Sequence, residues 1–398
     1  MATLLLLLTY LLFVGLGLPA ALLGSAWPVL HVDCGFPVAW AGILSALLAL
    51  GRILASLLTA RLGRRHSTGQ ISLGSLLLMA VSVLGFAQSR SFALMAAIIL
   101  AYGFGSGVLD AVVNHYVNLH YRAWQLTWLH LSFSFGQAMG PVLLGLALAA
   151  GRNWTGGYRL IAVLLLAIAL VLLLSFRLWS RCPDTQSFTR LPPASAVEAP
   201  PAAGRSLLAL PGLVRVLLGF FCFTSFEALI CVWISTYLVA VRGLAPERAA
   251  ALAGLYSFGV IGGRVVSSFI ADRLGARRML AGGSAGLLAG IVLLLLPTRA
   301  AGFAIVAFVL IGVGAAPIFP AVIRQIPERF GNANSQAVTG LHMAAAAAGA
   351  LVLPPLPGLL ARRVGMAALP WFVLLLWGLM VPLLLMRPRR RRARADRV

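Results

Sequence analysis

The sequence contains no lysine: all 31 of its basic residues are arginine, against nine acids in 398 residues. Charged residues make up 10% of the chain and hydrophobic ones 61%. That excludes a soluble globular protein, which could not hide so much apolar surface from water. The four cysteines, Cys34, Cys182, Cys222 and Cys231, form no CxxC, which leaves no disulfide or metal framework to build on. No Walker motif, nucleophile constellation or metal-ligand cluster is present, so neither an enzyme nor an ATP-driven machine is expected, and no cofactor. The missing lysine reads as the base composition of a GC-rich bacterium.

What is present is apolar length. Runs of about 20 apolar residues, enough to cross a bilayer core of roughly 30 Å, recur from end to end. Twelve spans are expected, at 4–28, 38–59, 71–88, 92–118, 125–149, 159–178, 212–240, 248–270, 279–297, 301–325, 335–360 and 367–386. The fold class is therefore all-α integral membrane. The chain turns apolar almost at once and lacks a basic leader, so its start reads as the first span and not as a cleaved signal.

One gap is long: 179–211 is rich in Pro, Ala and Ser and reads as a flexible linker. It divides the chain into a six-helix bundle over 1–178 and another over 212–386, followed by a basic tail over 387–398. The net charge of +22 raises the question of nucleic acid. The arginines, however, sit in short gaps and in the tail, the pattern of topology signals. With both termini on the cytoplasmic side, 21 arginines lie inside and eight outside. This predicts a multi-pass protein of the cell (inner) membrane with both ends cytoplasmic, the bilayer as partner and no nucleic acid.

The halves repeat. "LGRILASLLTARLGRR", from Leu50 to Arg65, aligns with "GGRVVSSFIADRLGARR", from Gly262 to Arg278, at an offset of 212 residues. The same offset pairs Gly51–Arg52 with Gly263–Arg264 and Leu129–His130 with Leu341–His342. Duplicated six-span halves are a transporter architecture, with the solute site between the halves near the bilayer midplane.

The run "SFIADRLGARR" resembles the loop signature of the major facilitator superfamily, roughly Gly-x-x-x-Asp-Arg-x-Gly-Arg-Arg. The second-half copy keeps Asp272, Arg273, Gly275, Arg277 and Arg278, with Ser268 for the leading glycine. The first-half copy keeps Arg61, Gly63, Arg64 and Arg65 but has Ala60 in the acid's place. The resemblance covers the whole chain. It implies two pseudo-symmetric bundles, alternating access, a loop motif that stabilises one state of the cycle, and a monomer. Segments in spans 4, 5, 7 and 10 ("GSGVLDAVVNHYVN", "LTWLHLSFSFGQAMGP", "FEALICVWISTYL" and "GVGAAPIFPAV") resemble the fucose–proton symporter branch and its glucose and galactose relatives. That likeness implies proton-coupled uptake of a sugar or similar polar solute. The branch is thought to pair an acid in helix 1 with one in helix 4, and no acid falls in the first expected span. "GQAMGPVLLG", from Gly136, is similar to an antiporter motif, but small residues at this spacing also serve helix packing.

Only Asp110 and Glu227 place a carboxylate within the expected spans, and an intramembrane ionisable group is a functional-site hypothesis. Both are candidates for carrying a proton. Gly103, Gly107, Asp110, Asn114 and Asn118 share one helical stripe. The stripe reads as a polar cavity wall for a hydroxylated solute, or as a packing seam between helices. Near Glu227, Trp233 and Tyr237 could stack on a sugar or anchor the helix end at the interface. His130 and His342 occupy matched positions, either to bond a solute or as satisfied structural groups. The expected function is a secondary transporter of a small polar solute with protons. A drug exporter on the same fold, or a receptor or scaffold without transport, are the alternatives.

Overall fold

The computed structural model describes residues 2–180, 207–296 and 300–385. Most of the linker expected at 179–211 and the tail at 387–398 lie outside the described residues. Twelve helical segments among the described residues are long and apolar enough to cross a membrane: α1 Thr3–Asp33, α2 Trp40–Gly63, α3 Thr68–Gln88, α4 Phe92–His120, α5 Trp124–Ala149, α6 Trp154–Leu174, α7 Leu213–Ala240, α8 Pro246–Ala271, α9 Arg273–Leu295, α10 Gly302–Phe330, α11 Asn332–Ala361 and α12 Met366–Leu385. Hydrocarbon offers no partner for a backbone N–H or C=O, so each segment must satisfy its own backbone as a helix.

Local chemistry sets where the helices begin and bend. Ser67 and Gln70 form a capping box at the start of α3, with each side chain accepting from the other's backbone N–H at 3.3 and 3.0 Å. The helix in α1 is interrupted between Gly17 and Leu22, around Pro19. It is also longer than the sequence suggests and runs on to Asp33. The helical path of α10 breaks at Pro317, and that of α11 at Leu353–Pro354. Proline has no N–H to continue the ladder. Just inside the start of α9 the chain turns at Gly275, whose φ of 74° and ψ of 161° suit glycine. Its first-half counterpart Gly63 is instead a buried residue at the helical end of α2.

The sequence repeat is a repeat of packing. A Cβ on Gly51 in α2 would collide with the Leu100 carbonyl in α4, and one on Gly263 in α8 would lie 2.7 Å from the Val313 carbonyl in α10. The glycine just before the matched arginine in each copy of the repeat lets two helices touch main chain to main chain, the small-residue packing expected in membranes.

Among the described residues, the close main-chain contacts between the two sets of six helices gather toward the face remote from where α6 ends and α7 begins. There, added Cβ atoms would meet opposing main chain: Gly24 of α1 against the Cys231 carbonyl of α7, Gly42 of α2 against Pro355 of α11, and Gly145 of α5 against the Glu247 carbonyl of α8. Ser235 Oγ donates to the Ser25 carbonyl at 3.3 Å across the same seam. Toward the α6–α7 face the halves part. On α8 the outer turns bury Ala249, Ala250, Ala253 and Gly254, whereas every residue from Val265 to Ile270 is exposed or half-exposed. A stretch of helix with no buried face has left its neighbours.

The seal therefore depends on small residues. Gly24→Val should disfavour the sealed face by about 1–3 kcal/mol, the usual cost of overpacking. Cys231, half-buried behind that contact, should then react about tenfold faster with a bulky water-soluble maleimide, read by peptide mass mapping. An unchanged labelling rate would show that the seal does not rest on this contact.

Candidate functional site

Seven side chains from both halves lie in one layer where the seal ends and the opening begins. Arg52 stands at the midpoint of α2 and Glu227 at the midpoint of α7. Arg52 Nη2 lies 3.8 Å from Asp110 Oδ2 of α4, and each side chain keeps 39% of its surface accessible. The pair is thus long and wet. Asn114 Nδ2, one turn on, donates to Asp110 Oδ1 at 2.9 Å and to the Asp110 carbonyl at 3.0 Å. His130 of α5 lies within electrostatic reach of both Asp110 and Arg264. Its ring meets Phe13 edge-on at 6.1 Å.

The other half supplies Glu227, Tyr256 and Arg264. Tyr256 Oη donates to Glu227 Oε1 at 3.0 Å. Arg264 Nη1 donates to Ser134 Oγ at 2.7 Å and to the His130 carbonyl at 3.2 Å, so an α8 side chain holds α5 of the opposite half. Ser134 Oγ in turn donates to the same His130 carbonyl at 3.0 Å. Gln137 Nε2 approaches Cys231 Sγ at 3.7 Å, a second polar link between the halves, here from α5 to α7. A charge at the centre of a membrane helix costs about 2.5–3.5 kcal/mol on insertion scales. Facing the interior and finding polar partners reduces that cost, which is why these groups gather in one layer.

The structure brings together Asp110, Asn114, His130 and Glu227. Asn118 is exposed, further along α4 toward the α6–α7 face. The polar stripe of α4 is chiefly a packing seam. Cβ atoms on Gly103 and Gly107 would collide with the Leu48 carbonyl and with Arg52 Cα of α2, so the glycines admit a helix, not a solute. Asp110 reaches the opening only because the seam ends beside it.

Three expectations are corrected. Trp233 is fully buried and its Nε1 donates to the Pro354 carbonyl at 2.9 Å. Tyr237 is buried, donates to the Leu294 carbonyl at 3.1 Å, and carries Arg242 over its ring at 5.5 Å. His342 is fully buried against Phe220, with Nδ1 2.8 Å from the Val338 carbonyl. None of the three is offered to a solute in this conformation. The matched histidines thus part company: His130 is exposed at the opening, and His342 is core. The acid at the end of α1, Asp33, accepts from Trp154 Nε1 at 2.9 Å and pairs with Arg90 at 3.2 Å on the sealed face, remote from the layer.

At the loop motif, Arg61, Arg64, Arg273 and Arg277 are exposed on the α6–α7 face, beside Gly63 and Gly275. The side chain of Asp272 lies outside the described ones. The antiporter-like glycines serve packing: Gly136 and Gly140 sit against the Val14 and Leu18 carbonyls of α1, and Gly145 against α8. Sequence reasoning missed Arg52 and Arg264 as site residues. The repeat had already paired them, and they are the two arginines that fall outside the count of 21 inside and eight outside.

A family model described as Major Facilitator Superfamily matches residues 9–298 and 216–397. A curated relative from Yersinia pestis, an uncharacterized MFS-type transporter, is 24% identical over 355 residues, covering 85% of each protein. Among solved structures, a D-xylose–proton symporter superposes with a TM-score of 0.73 at 15% identity, over 96% of both chains. The nucleoside transporter NupG gives 0.68 at 16%, over 95% of this chain and 96% of that one. At such identities these structures show the fold alone.

The geometry separates a wet charge pair from a buried hydrogen bond. Asp110→Asn should lower stability by no more than about 1 kcal/mol, as for accessible ion pairs. Trp233→Phe, which strands a buried carbonyl, should cost about 1–3 kcal/mol. Thermal unfolding of the purified protein reads both, and an Asp110→Asn protein that melts below Trp233→Phe would reverse the assignment.

Proposed function

The chain belongs to the Major Facilitator Superfamily of transporters, and on that premise we propose that it moves a small polar solute together with protons by alternating access, with Glu227 as the group that takes up and releases the proton. One observation carries the reading: Glu227 sits mid-membrane at the seam, hydrogen-bonded to Tyr256 and with no arginine within ion-pair distance among the described residues. Arg264, its electrostatic neighbour, is bonded instead to α5 of the opposite half. A glutamate so placed is tolerable when neutral. Losing its proton would create an unpaired charge in the membrane, and the nearest remedy is Arg264. Drawing Arg264 toward Glu227 would loosen its bonds to Ser134 and the His130 carbonyl, the polar contact that closes the layer between the halves. Proton release is thereby coupled to movement of one half against the other. Asp110 already has Arg52 and Asn114 as partners and serves to hold the first-half layer in place.

The polar character of the layer supports a hydrophilic solute over a greasy one: Asp110, Asn114, His130, Glu227 and Arg264 all lie there. With the arginine-rich gaps inside, the open α6–α7 face is the cytoplasmic one and the sealed face looks outward.

The test uses proteoliposomes loaded with a pH-sensitive dye and exposed in turn to a panel of hexoses, pentoses and their acids. At least one solute should drive proton entry into the vesicles. Glu227→Gln, fixed in the neutral form, should reduce that proton flux at least about tenfold, a typical loss for a group that handles a proton. It should still exchange solute across the membrane. Full proton coupling in Glu227→Gln would sink the assignment.

A further inference from the structure

We propose that the solute carries a carboxylate, and that the free edge of the Arg264 guanidinium, formed by Nε and Nη2, receives it. The inference rests on the transport reading above and narrows its solute class. Arg264 commits only Nη1, to Ser134 Oγ at 2.7 Å and the His130 carbonyl at 3.2 Å. Its Nε and Nη2 have no hydrogen-bond partner among the described residues, and neither is a fully buried atom. Those two N–H groups are parallel, and they match the two oxygens of a carboxylate. Two adjacent sugar hydroxyls could accept from both, but being neutral they would leave the guanidinium charge uncompensated.

The repeat explains why this edge is open. Arg52, the matched arginine of the first half, faces Asp110 at 3.8 Å. The position corresponding to Asp110 in the second half, 212 residues on, is Val322, a buried aliphatic residue. Arg264 thus has no acid of its own from the pseudo-symmetric helix, and it crosses to neutral acceptors on α5. Charge balance points the same way. Arg52 and Asp110 cancel. With a proton on Glu227 and a neutral imidazole on His130, the rest of the layer carries the single positive charge of Arg264, which one monoanion neutralises. A proton and a carboxylate bound together then leave no net charge to be carried through the membrane.

The experiment compares matched acids and neutral analogues with the purified full-length protein at fixed pH and ionic strength: D-gluconate with D-glucose, D-galactonate with D-galactose, and L-lactate with 1,2-propanediol. At least one carboxylate should raise the unfolding temperature saturably while its neutral partner does not. Arg264→Lys, which keeps the charge and loses the paired edge, should weaken that binding about tenfold, and Arg264→Gln about a hundredfold. Gel filtration and the ligand-free unfolding temperature establish that each variant is folded. Equal stabilisation by neutral analogues, no stabilisation by any of the three acids, or full carboxylate affinity in folded Arg264→Lys would overturn the inference. The proton-flux assay separates the two readings. If glucose or galactose drives proton entry and Arg264→Gln leaves it unchanged, coupling stands and the carboxylate falls. If carboxylates bind but none moves protons, the reverse holds.

Discussion

Arg264 reaches out of its own half to bond a hydroxyl and a main-chain carbonyl of the other, and the polar layer is arranged around that crossing. A guanidinium at this depth is expensive unless it is paired. In the first half the matched residue, Arg52, meets an acid within the same six helices. In the second half the acid is missing and Val322 stands in its place. The duplicated scaffold therefore carries two arginines and one symmetric partner, and the surplus cation ties the halves together. Breaking the symmetry converts a structural ion pair into a contact that exists only while the halves are close on one face.

The remainder of the interface is almost without polar specificity. Gly24, Gly42 and Gly145 each lie against opposing main chain, where one added carbon would collide. Such a seal is made of dispersion contacts between close backbones, with the Ser235–Ser25 bond and the Gln137–Cys231 approach as its polar links. Contacts of this kind hold no buried charge, so separating them exposes none. In the proposed cycle such a seam could open on one face as the other closes, with the arginine crossing as the place where chemistry biases the movement.

Much of this architecture is legible in the amino-acid sequence. Twelve spans follow from apolar length, because hydrocarbon thickness and the demand for internal hydrogen bonds leave a helix no alternative. The repeat at 212 residues locates Gly51 and Gly263, and both prove to be helix-crossing points. Asp110 and Glu227 stand out because an acid within a span is rare. The expectations that fail do so for a common reason. A stripe such as Gly103, Gly107 and Asp110 reads identically whether it lines a cavity or a seam, and Trp233, Tyr237 and His342 read as site residues although their polar atoms are taken up by main-chain carbonyls or buried in the core.

By itself the sequence determined the class of the protein: an all-helical membrane chain of two related halves, with two carboxylates in its spans. These follow from composition and spacing, which are properties of the chain. Only the tertiary structure decided which face of each helix meets lipid, a neighbour or the opening, because one helical stripe can serve any of the three. It placed the Gly103 stripe against α2, buried Trp233, and turned His130 toward the opening while His342 became core. It also sent Arg264 across to α5, where the matching place on α10 offers Val322 and no acid.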